Sequence, residues 1–188
     1  MMRIITGRAK GIRLKTLEGD ATRPTSERVK EAIFSMIQFD LEGRSVLDLF
    51  SGSGQMALEA ISRGAASAVL VDRSRDAIKI IEDNVQKTKL GGYCTVRQSD
   101  CMDFIRRNQG CRFDIVFLDP PYASGLYCTA IQALLDCDML KPTSMIVCES
   151  DQDEIFKDRA DLAEQFTVKK QSKYSKTVIT ILERRCES

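Results

Sequence analysis

Four consecutive residues, Asp119-Pro120-Pro121-Tyr122, have the types and the spacing of a group that could do chemistry. They follow an apolar run at residues 113–118, whose length and composition are typical of a buried parallel strand. Because neither proline can donate a backbone hydrogen bond and each fixes its own φ angle, the strand must end in a rigid turn. The turn would present a carboxylate, carbonyls and an aromatic ring at the carboxyl end of a strand, where open α/β sheets bind ligands. A simple strand stop explains the four residues equally well.

A second group of this kind lies earlier in the chain. The sequence Gly52-Ser53-Gly54-Gln55-Met56-Ala57 matches the pattern G-x-G-x-x-[G/A] between a predicted strand and a predicted helix. Glycines there let the backbone approach a ligand, and the start of the helix offers free N–H groups. Asp72 ends the next predicted strand, where a carboxylate can accept hydrogen bonds from both ribose hydroxyls. The pattern predicts a site for an adenosine-bearing cofactor, and its plainer alternative is an ordinary strand-to-helix turn.

Asp48 distinguishes between the cofactors that such a site could hold. A carboxylate four residues before the first glycine is unhelpful to the pyrophosphate of a dinucleotide, but it favours the cationic amino group and sulfonium of S-adenosylmethionine. Asp100, after the third predicted strand, suits the adenine amino group and could also cap the helix that follows. The remaining predicted cofactor-binding residues are Phe50, Ser51, Arg73 and Cys101.

The elements that would position these residues alternate along the chain. Strands are predicted at residues 45–50, 68–71, 93–97, 113–118, 144–148, 166–169 and 177–182. Helices separate the first five, and a short link at residues 171–175 joins the last two. This order predicts a doubly wound, mostly parallel seven-stranded α/β sheet of the Rossmann-like type, closed by a C-terminal antiparallel hairpin. In such a sheet the loops after the first four strands gather at one edge. A further helix, capped by Thr25 or Ser26, is predicted to run to about residue 38.

The N-terminal segment differs in charge from the rest of the chain. Residues 1–30 contain eight Lys and Arg against three Asp and Glu, whereas the whole chain has a net charge of +1. We predict a small basic β-hairpin arm at residues 1–20 and a main domain at residues 21–188. A basic arm suits a polyanion because Lys and Arg neutralise phosphates, although a solvated, protected edge strand has the same composition. The predicted RNA-binding residues are Arg3, Arg8, Lys10, Arg13 and Arg23.

The composition argues against several classes of protein. Without histidine, Ser-His and Cys-His catalysis and histidine-based metal sites are not available. The seven cysteines are odd in number and have no C-x-x-C spacing, so reduced thiols in a cytosol are the simplest account. No apolar run approaches the ~18 residues of a membrane span, and the N-terminus lacks the apolar core of a signal peptide. We therefore expect a cytoplasmic protein that binds no membrane and no metal, with a monomer as the default.

Two of these segments resemble known motifs. Residues 48–54 resemble motif I of class I S-adenosylmethionine-dependent methyltransferases, and Asp119-Pro120-Pro121-Tyr122 resembles motif IV of those that methylate exocyclic or amide nitrogens. With the M-R-I-I-x-G opening and the segments at residues 22–31 and 57–63, the whole chain is similar to the RsmD family. These are bacterial guanine-N2 methyltransferases of small-subunit (16S) ribosomal RNA. Cys101 departs from the pattern mildly, because a small alanine-like residue is common there.

The resemblance implies a reaction and roles for its residues. A methyl group would pass from S-adenosylmethionine to the exocyclic N2 amine of a guanine in small-subunit ribosomal RNA, within an assembled or assembling 30S particle. The Asp119 carboxylate and the Pro120 carbonyl would bind the two amine hydrogens and free the nitrogen lone pair. Tyr122 would stack on the presented base. Catalysis would consist mainly of positioning and electrostatics, without a metal.

Other functions share parts of the pattern. Adenine-N6 and cytosine-N4 methyltransferases use the same turn, but the DNA enzymes usually carry a target-recognition region for which the short connections here leave no room. A glutamine-N5 protein methyltransferase favours Asn where this chain has Asp119. A non-catalytic adenosine- or RNA-binding module would not need the turn at all. An NAD-dependent oxidoreductase is disfavoured by Asp48 and by the absence of histidine.

Overall fold

The structure, a computed structural model, describes residues 2–17, 26–121, 125–157 and 159–185. The strands are β1 (Ser45–Asp48), β2 (Ser67–Asp72), β3 (Cys94–Gln98), β4 (Phe113–Leu118), β5 (Leu140–Ser150), β6 (Phe166–Tyr174) and β7 (Thr177–Arg184). The helices are α1 (Glu27–Met36), α2 (Gln55–Ser62), α3 (Arg75–Thr88), α4 (Cys101–Arg107), α5 (Leu126–Asp136) and α6 (Ala160–Ala163), with a 3-10 helix at Gly91–Tyr93.

The seven strands form one sheet with the order β3-β2-β1-β4-β5-β7-β6. Pairing is parallel from β1 to β2, from β2 to β3 and from β4 to β5, whereas β7 runs antiparallel to both β5 and β6. The predicted doubly wound, mostly parallel α/β fold with a C-terminal antiparallel hairpin is therefore confirmed. The chain divides into two compact units, one up to Asp100 and one from Cys101 onward. The boundary that we predicted after residue 20 lies in residues 18–25, outside the described residues, and stays a prediction.

In the first unit, α2 is the most deeply buried helix. All of its residues except Met56 are buried, including Glu59. A helix that is buried on every side must be covered on the face that points away from the sheet. The N-terminal residues supply this cover, since Met2, Ile4 and Leu14 are buried. The predicted hairpin is shorter than expected, with a single antiparallel bridge between Arg3 and Arg13.

The carboxylate of Glu59 holds this N-terminal arm, residues 2–15, in place. Glu59 is fully buried, and its oxygens accept hydrogen bonds from the backbone of Ile5 at 2.7 Å and of Thr6 at 3.0 Å. It also binds the guanidinium of Arg63 at 2.8 Å and the ammonium of Lys30 at 3.4 Å. Because Lys30 is also fully buried, the pair satisfies two charges that would be costly to bury alone. Burial lowers the pKa of Lys30, and the charge of Glu59 opposes that change.

The second unit corrects the sequence prediction at the C-terminal hairpin. The link predicted at residues 171–175 belongs mostly to β6. This strand continues to Tyr174 because residues 171–174 each pair with β7. The turn is only Ser175-Lys176, and Ser175 has a φ of 59°. Such left-handed backbone suits a two-residue hairpin turn. β5 is also longer than predicted, and α6 was not predicted.

The described helices are short. The longest, α3, has 14 residues, and none of them combines the length and the apolar stretch that crossing a membrane requires.

Two glycines of the arm give a matched test of its packing. Gly7 and Gly11 both have a φ of +85°, but a Cβ on Gly7 would lie 1.7 Å from the carbonyl oxygen of Ser62, whereas a Cβ on Gly11 would meet nothing within 4 Å. We expect Gly11→Ala to lower the free energy of unfolding by about 1–2 kcal/mol through its backbone alone. Gly7→Ala should lower the free energy of unfolding by about 3 kcal/mol or more, because the new methyl group also collides with Ser62.

Urea unfolding of the two variants measures the difference. In Gly7→Ala, fast amide exchange at Ile5 and Thr6 should accompany the loss, since their hydrogen bonds to Glu59 require the docked arm. Equal stabilities of the two variants would show that the arm does not pack on Ser62 in solution.

Candidate functional site

Asp48, at the end of β1, is a buried carboxyl with an unused oxygen. Only 4% of the residue is exposed, and its Oδ2 atom is buried without a hydrogen bond in the described part of the chain. Burial raises the pKa of Asp48 from 3.8 to about 7; a hydrogen bond from the Phe50 backbone opposes the rise, and the charge of Asp72 adds to it. A carboxyl in this state favours a cation or a strong hydrogen-bond donor as a neighbour.

The glycines of the loop between β1 and α2 have separate roles. Both have left-handed backbone, with φ of 53° at Gly52 and 77° at Gly54. A Cβ on Gly54 would lie 2.9 Å from the side chain of Leu70, so this glycine lets α2 begin close to β2. A Cβ on Gly52 would meet nothing within 4 Å, so the backbone there borders open space. The loop is closed by hydrogen bonds from the Ser51 hydroxyl to the Asp48 carbonyl at 2.9 Å and from the Gly54 N–H to the Ser51 carbonyl at 2.6 Å.

Asp72 connects this loop to the end of β2. Its Oδ2 accepts a hydrogen bond from the Gly52 N–H at 2.9 Å, and its Oδ1 accepts one from the Ser74 N–H at 2.8 Å. A carboxylate has about four acceptor positions, so these two bonds orient the group and leave capacity for further donors. Asp48, Ser51, Gly52, Gly54 and Asp72 are thus brought together, with half-buried Phe50 in the same loop.

Two more of the predicted cofactor-binding residues lie beside this cluster. Arg73 is exposed, and its carbonyl accepts a hydrogen bond from the side chain of Gln98 at 3.4 Å. The Ser99 N–H donates to the Asp72 carbonyl at 3.0 Å, which places exposed Asp100 one residue beyond that contact. Cys101 is the first residue of α4 in the second unit, where it is buried.

In the second unit, β4 delivers the Asp119-Pro120-Pro121 turn. All six residues of β4 are buried, whereas Asp119 is exposed, Pro120 is buried and Pro121 is exposed. The buried strand and the buried proline ring fix the position from which the Asp119 carboxylate reaches solvent. Tyr122 lies outside the described residues.

Sequence reasoning missed a cysteine next to this turn. Cys148 of β5 is opposite Leu118, the residue before Asp119, in the parallel register of β4 and β5. Burial raises the pKa of the Cys148 thiol, and the charges of Cys128 and Asp119 raise it further. The thiol is therefore neutral beside the turn and adds no charge there. Only the register of the two strands, which the sequence does not specify, could have shown this.

The arm separates the predicted RNA-binding residues into two places. Arg3 and Arg13 face each other across the bridge and, with Gly11 and Glu27, line a cavity of about 300 Å³. The guanidinium of Arg3 is 3.2 Å from the Glu27 carboxylate. Arg3 and Arg13 lie towards the open end of the hairpin, where the Ser53 hydroxyl of the glycine loop donates to the sulfur of Met2 at 3.3 Å.

The other predicted RNA-binding residues lie at the turn of the arm. The Arg8 N–H donates to the carbonyl of Ser62 at 2.9 Å, and its guanidinium covers the ring of Tyr93 at 4.6 Å. Ser62 ends α2, about 10 Å along the helix from the glycine loop. Lys10 is exposed near Arg8, and Arg23 lies outside the described residues.

Within the described ranges, no group of three or more Cys, Asp or Glu side chains is arranged to hold a metal ion.

The chain matches known proteins over most of its length. The family model described as Conserved hypothetical protein 95 matches residues 2–183. Ribosomal RNA small subunit methyltransferase D of Haemophilus influenzae is 33% identical over 155 residues, which cover 81% of this chain and 80% of that protein. This chain belongs to the ribosomal RNA small subunit methyltransferase D family. The resemblance that the motifs indicated is therefore confirmed.

Solved structures agree with the family and the fold. The yhhF protein of Escherichia coli is 29% identical to this family member, and the match covers 99% of each chain with a TM-score of 0.85. An RNA methyltransferase from Salinibacter ruber, solved in complex with S-adenosyl-L-homocysteine, is 15% identical and covers 88% of this chain and 96% of its own. Its TM-score of 0.66 shows that the two share a fold.

The unusual pKa of Asp48 predicts a pH-dependent stability in the absence of ligand. The unfolded chain releases the Asp48 proton near pH 3.8, whereas the folded protein keeps it to about pH 7. The stabilising contribution of this proton is therefore complete below pH 3.8 and is lost as the pH rises through 7. The change amounts to about 4 kcal/mol. Asp48→Asn cannot titrate, so it should gain up to this amount relative to the wild type between pH 4 and 8.

Urea unfolding of both proteins at a series of pH values measures this gain. Parallel stability curves would show that Asp48 is ionised in the folded protein throughout the range.

Proposed function

We propose that this chain transfers a methyl group from S-adenosylmethionine to the exocyclic N2 amine of a guanine in small-subunit ribosomal RNA. The observation that carries the proposal is the Asp119-Pro120-Pro121 turn, which follows β4 in a member of this family. The name of the Haemophilus influenzae relative supports ribosomal RNA of the small subunit as the substrate. We propose further that the protein acts as a monomer in the cytoplasm, on RNA within an assembled or assembling 30S particle.

The cluster in the first unit fits the proposed cofactor. The buried Oδ2 of Asp48, which has no hydrogen bond among the described residues, would face the cationic methionine portion. The Asp72 carboxylate would accept hydrogen bonds from the ribose hydroxyls. Backbone next to open space at Gly52 would permit close approach. Phe50, Ser51, Arg73, Asp100 and Cys101 complete the proposed set of contacts. When bound, S-adenosylmethionine supplies an electrophilic methyl group.

The turn after β4 would prepare the amine. The lone pair of a nucleobase amine is delocalised into the ring, which makes the nitrogen a poor nucleophile. The Asp119 carboxylate and the Pro120 carbonyl would accept its two hydrogens and hold the nitrogen in a geometry that frees the lone pair. Pro121 would keep the turn rigid, and Tyr122 would stack on the base. The proton that the methylated nitrogen must lose can pass to the exposed Asp119 carboxylate and then to water.

Replacement of Asp119 tests the catalytic part of the proposal. Asp119→Ala should lower kcat by about 100- to 1000-fold, because the acceptor that orients the amine is lost. Its affinity for S-adenosylmethionine should stay within about twofold of the wild type, since the proposed ribose and methionine contacts are elsewhere. Asp103→Ala, which removes an exposed carboxylate of α4, is the matched control and should leave both values unchanged.

The assay transfers a radioactive methyl group to unmethylated small-subunit ribosomal RNA, free and within 30S subunits, and identifies the modified nucleoside by mass spectrometry. N2-methylguanosine is the expected product. If the product is N6-methyladenosine, the target base is adenine and not guanine. Full turnover by Asp119→Ala would contradict the role proposed for the turn.

The two places on the arm predict different effects on RNA binding. We propose that Arg3 and Arg13 contact phosphates, because they lie at the end of the arm that meets the glycine loop. The double variant Arg3→Ala/Arg13→Ala should make the dependence of log K on log salt shallower by about 1.4–1.8. Arg8→Ala/Lys10→Ala removes the same charge from the turn, which lies about 10 Å from the glycine loop, and should change this slope less.

Filter binding or fluorescence anisotropy over a range of salt concentrations gives the slopes. Equal reductions of the slope in the two double variants would indicate a diffuse electrostatic attraction between the arm and RNA. An unchanged slope in both double variants would identify the arm as a solvated edge strand that does not bind RNA.

A further inference from the structure

Asn84 is a buried polar residue on α3 that no part of the proposed reaction uses. Its side chain is completely buried, and its amide makes three hydrogen bonds. Oδ1 accepts from the Lys15 N–H at 2.8 Å, while Nδ2 donates to the Lys15 carbonyl at 3.0 Å and to the Ser53 carbonyl at 2.9 Å. Both amide hydrogens and the amide oxygen therefore have partners.

The two partners of Asn84 belong to different functional segments. Ser53 lies between Gly52 and Gly54 in the glycine loop, and Lys15 lies two residues after Arg13 in the arm. A second contact joins the same segments, because the Ser53 hydroxyl meets the sulfur of Met2 at 3.3 Å. The two ends of the hairpin are therefore connected to the same loop residue. Met2 contacts the Ser53 hydroxyl directly, and Lys15 is connected to the Ser53 carbonyl through Asn84.

We propose that Asn84 is a positioning residue that couples the arm to the glycine loop, so that RNA on the arm and cofactor at the loop strengthen each other's binding. This inference rests on the proposed function. RNA that holds the arm fixes the backbone of Lys15, and through Asn84 it fixes the carbonyl of Ser53. A loop that is already ordered loses less conformational entropy when the cofactor binds. By thermodynamic linkage, cofactor at the loop must raise the affinity for RNA by the same factor.

The coupling is measurable as a ratio of dissociation constants. The probes are S-adenosyl-L-homocysteine, which permits no turnover, and unmethylated small-subunit ribosomal RNA. We expect RNA to tighten the binding of S-adenosyl-L-homocysteine by about fivefold or more in the wild type, in the usual range of such couplings. In Asn84→Ala the ratio of the dissociation constants without and with RNA should approach 1. This should hold even if the variant also binds each ligand more weakly on its own.

The variant Thr88→Val is the matched control. Thr88 is buried one turn further along α3, and among the described residues its hydroxyl bonds only to the Asn84 and Val85 carbonyls of its own helix. It should therefore keep the wild-type ratio. A residue that only braces the fold would change both affinities and leave the ratio intact, so a preserved ratio in Asn84→Ala would overturn the proposal.

Hydrogen exchange of the wild type provides a test that needs no variant. RNA alone, without cofactor, should slow exchange at the Lys15 amide, which donates to Asn84, and also at the Gly54 amide, which closes the loop. Slower exchange at Lys15 alone would overturn the coupling. A ratio of dissociation constants equal to 1 in the wild type would also overturn the coupling, but it would leave the proposed function intact. Failure of the wild type to bind either probe would contradict the proposed function itself.

Discussion

The first unit depends on one buried carboxylate. Glu59 lies in the middle of α2, completely shielded from water, and its two oxygens bind two backbone N–H groups of the arm as well as Lys30 and Arg63. A buried carboxylate without such partners would be strongly destabilising, so the arm, α1 and α2 can be buried together or not at all. The glycine loop precedes the same helix, and its geometry is therefore set in part by groups in the middle of that helix.

This arrangement places a short basic segment along the whole length of α2. The arm follows α2 from the glycine loop to Ser62, with its apolar residues inward and its arginines outward. Its outer face can attract an anion while its inner face braces the loop. The charge pattern of the sequence describes the outer face alone, which is why an arm that binds a polyanion and a solvated edge strand were equally good interpretations of it.

The sequence was informative where local chemistry decides the structure. The apolar run before Asp119 forms β4 with the bounds that its composition indicated, and Ser26, one of the two predicted caps, begins α1 because its hydroxyl accepts from the Val29 N–H. It was uninformative where long-range pairing decides. Residues 171–174 look like a loop by composition, yet pairing with β7 holds them in a strand in which exposed and half-buried residues alternate. Glu59, Lys30 and Asn84 are polar residue types that usually lie at the surface, and their buried partners, which include the backbone of the arm, are distant in the sequence.

The arm also constrains the order in which the chain can fold. It leaves the ribosome before the rest of its unit, but several of its backbone N–H groups donate to side chains 53, 54 and 69 residues further on, at Ser62, Glu59 and Asn84. Until α3 has been synthesised, the Lys15 end of the hairpin lacks its partner Asn84, and closing such long loops is entropically unfavourable without the finished helices. The N-terminus is therefore among the last parts of its unit to become ordered. The nascent chain exposes its cationic segment, beside the ribosomal RNA itself, for as long as that takes.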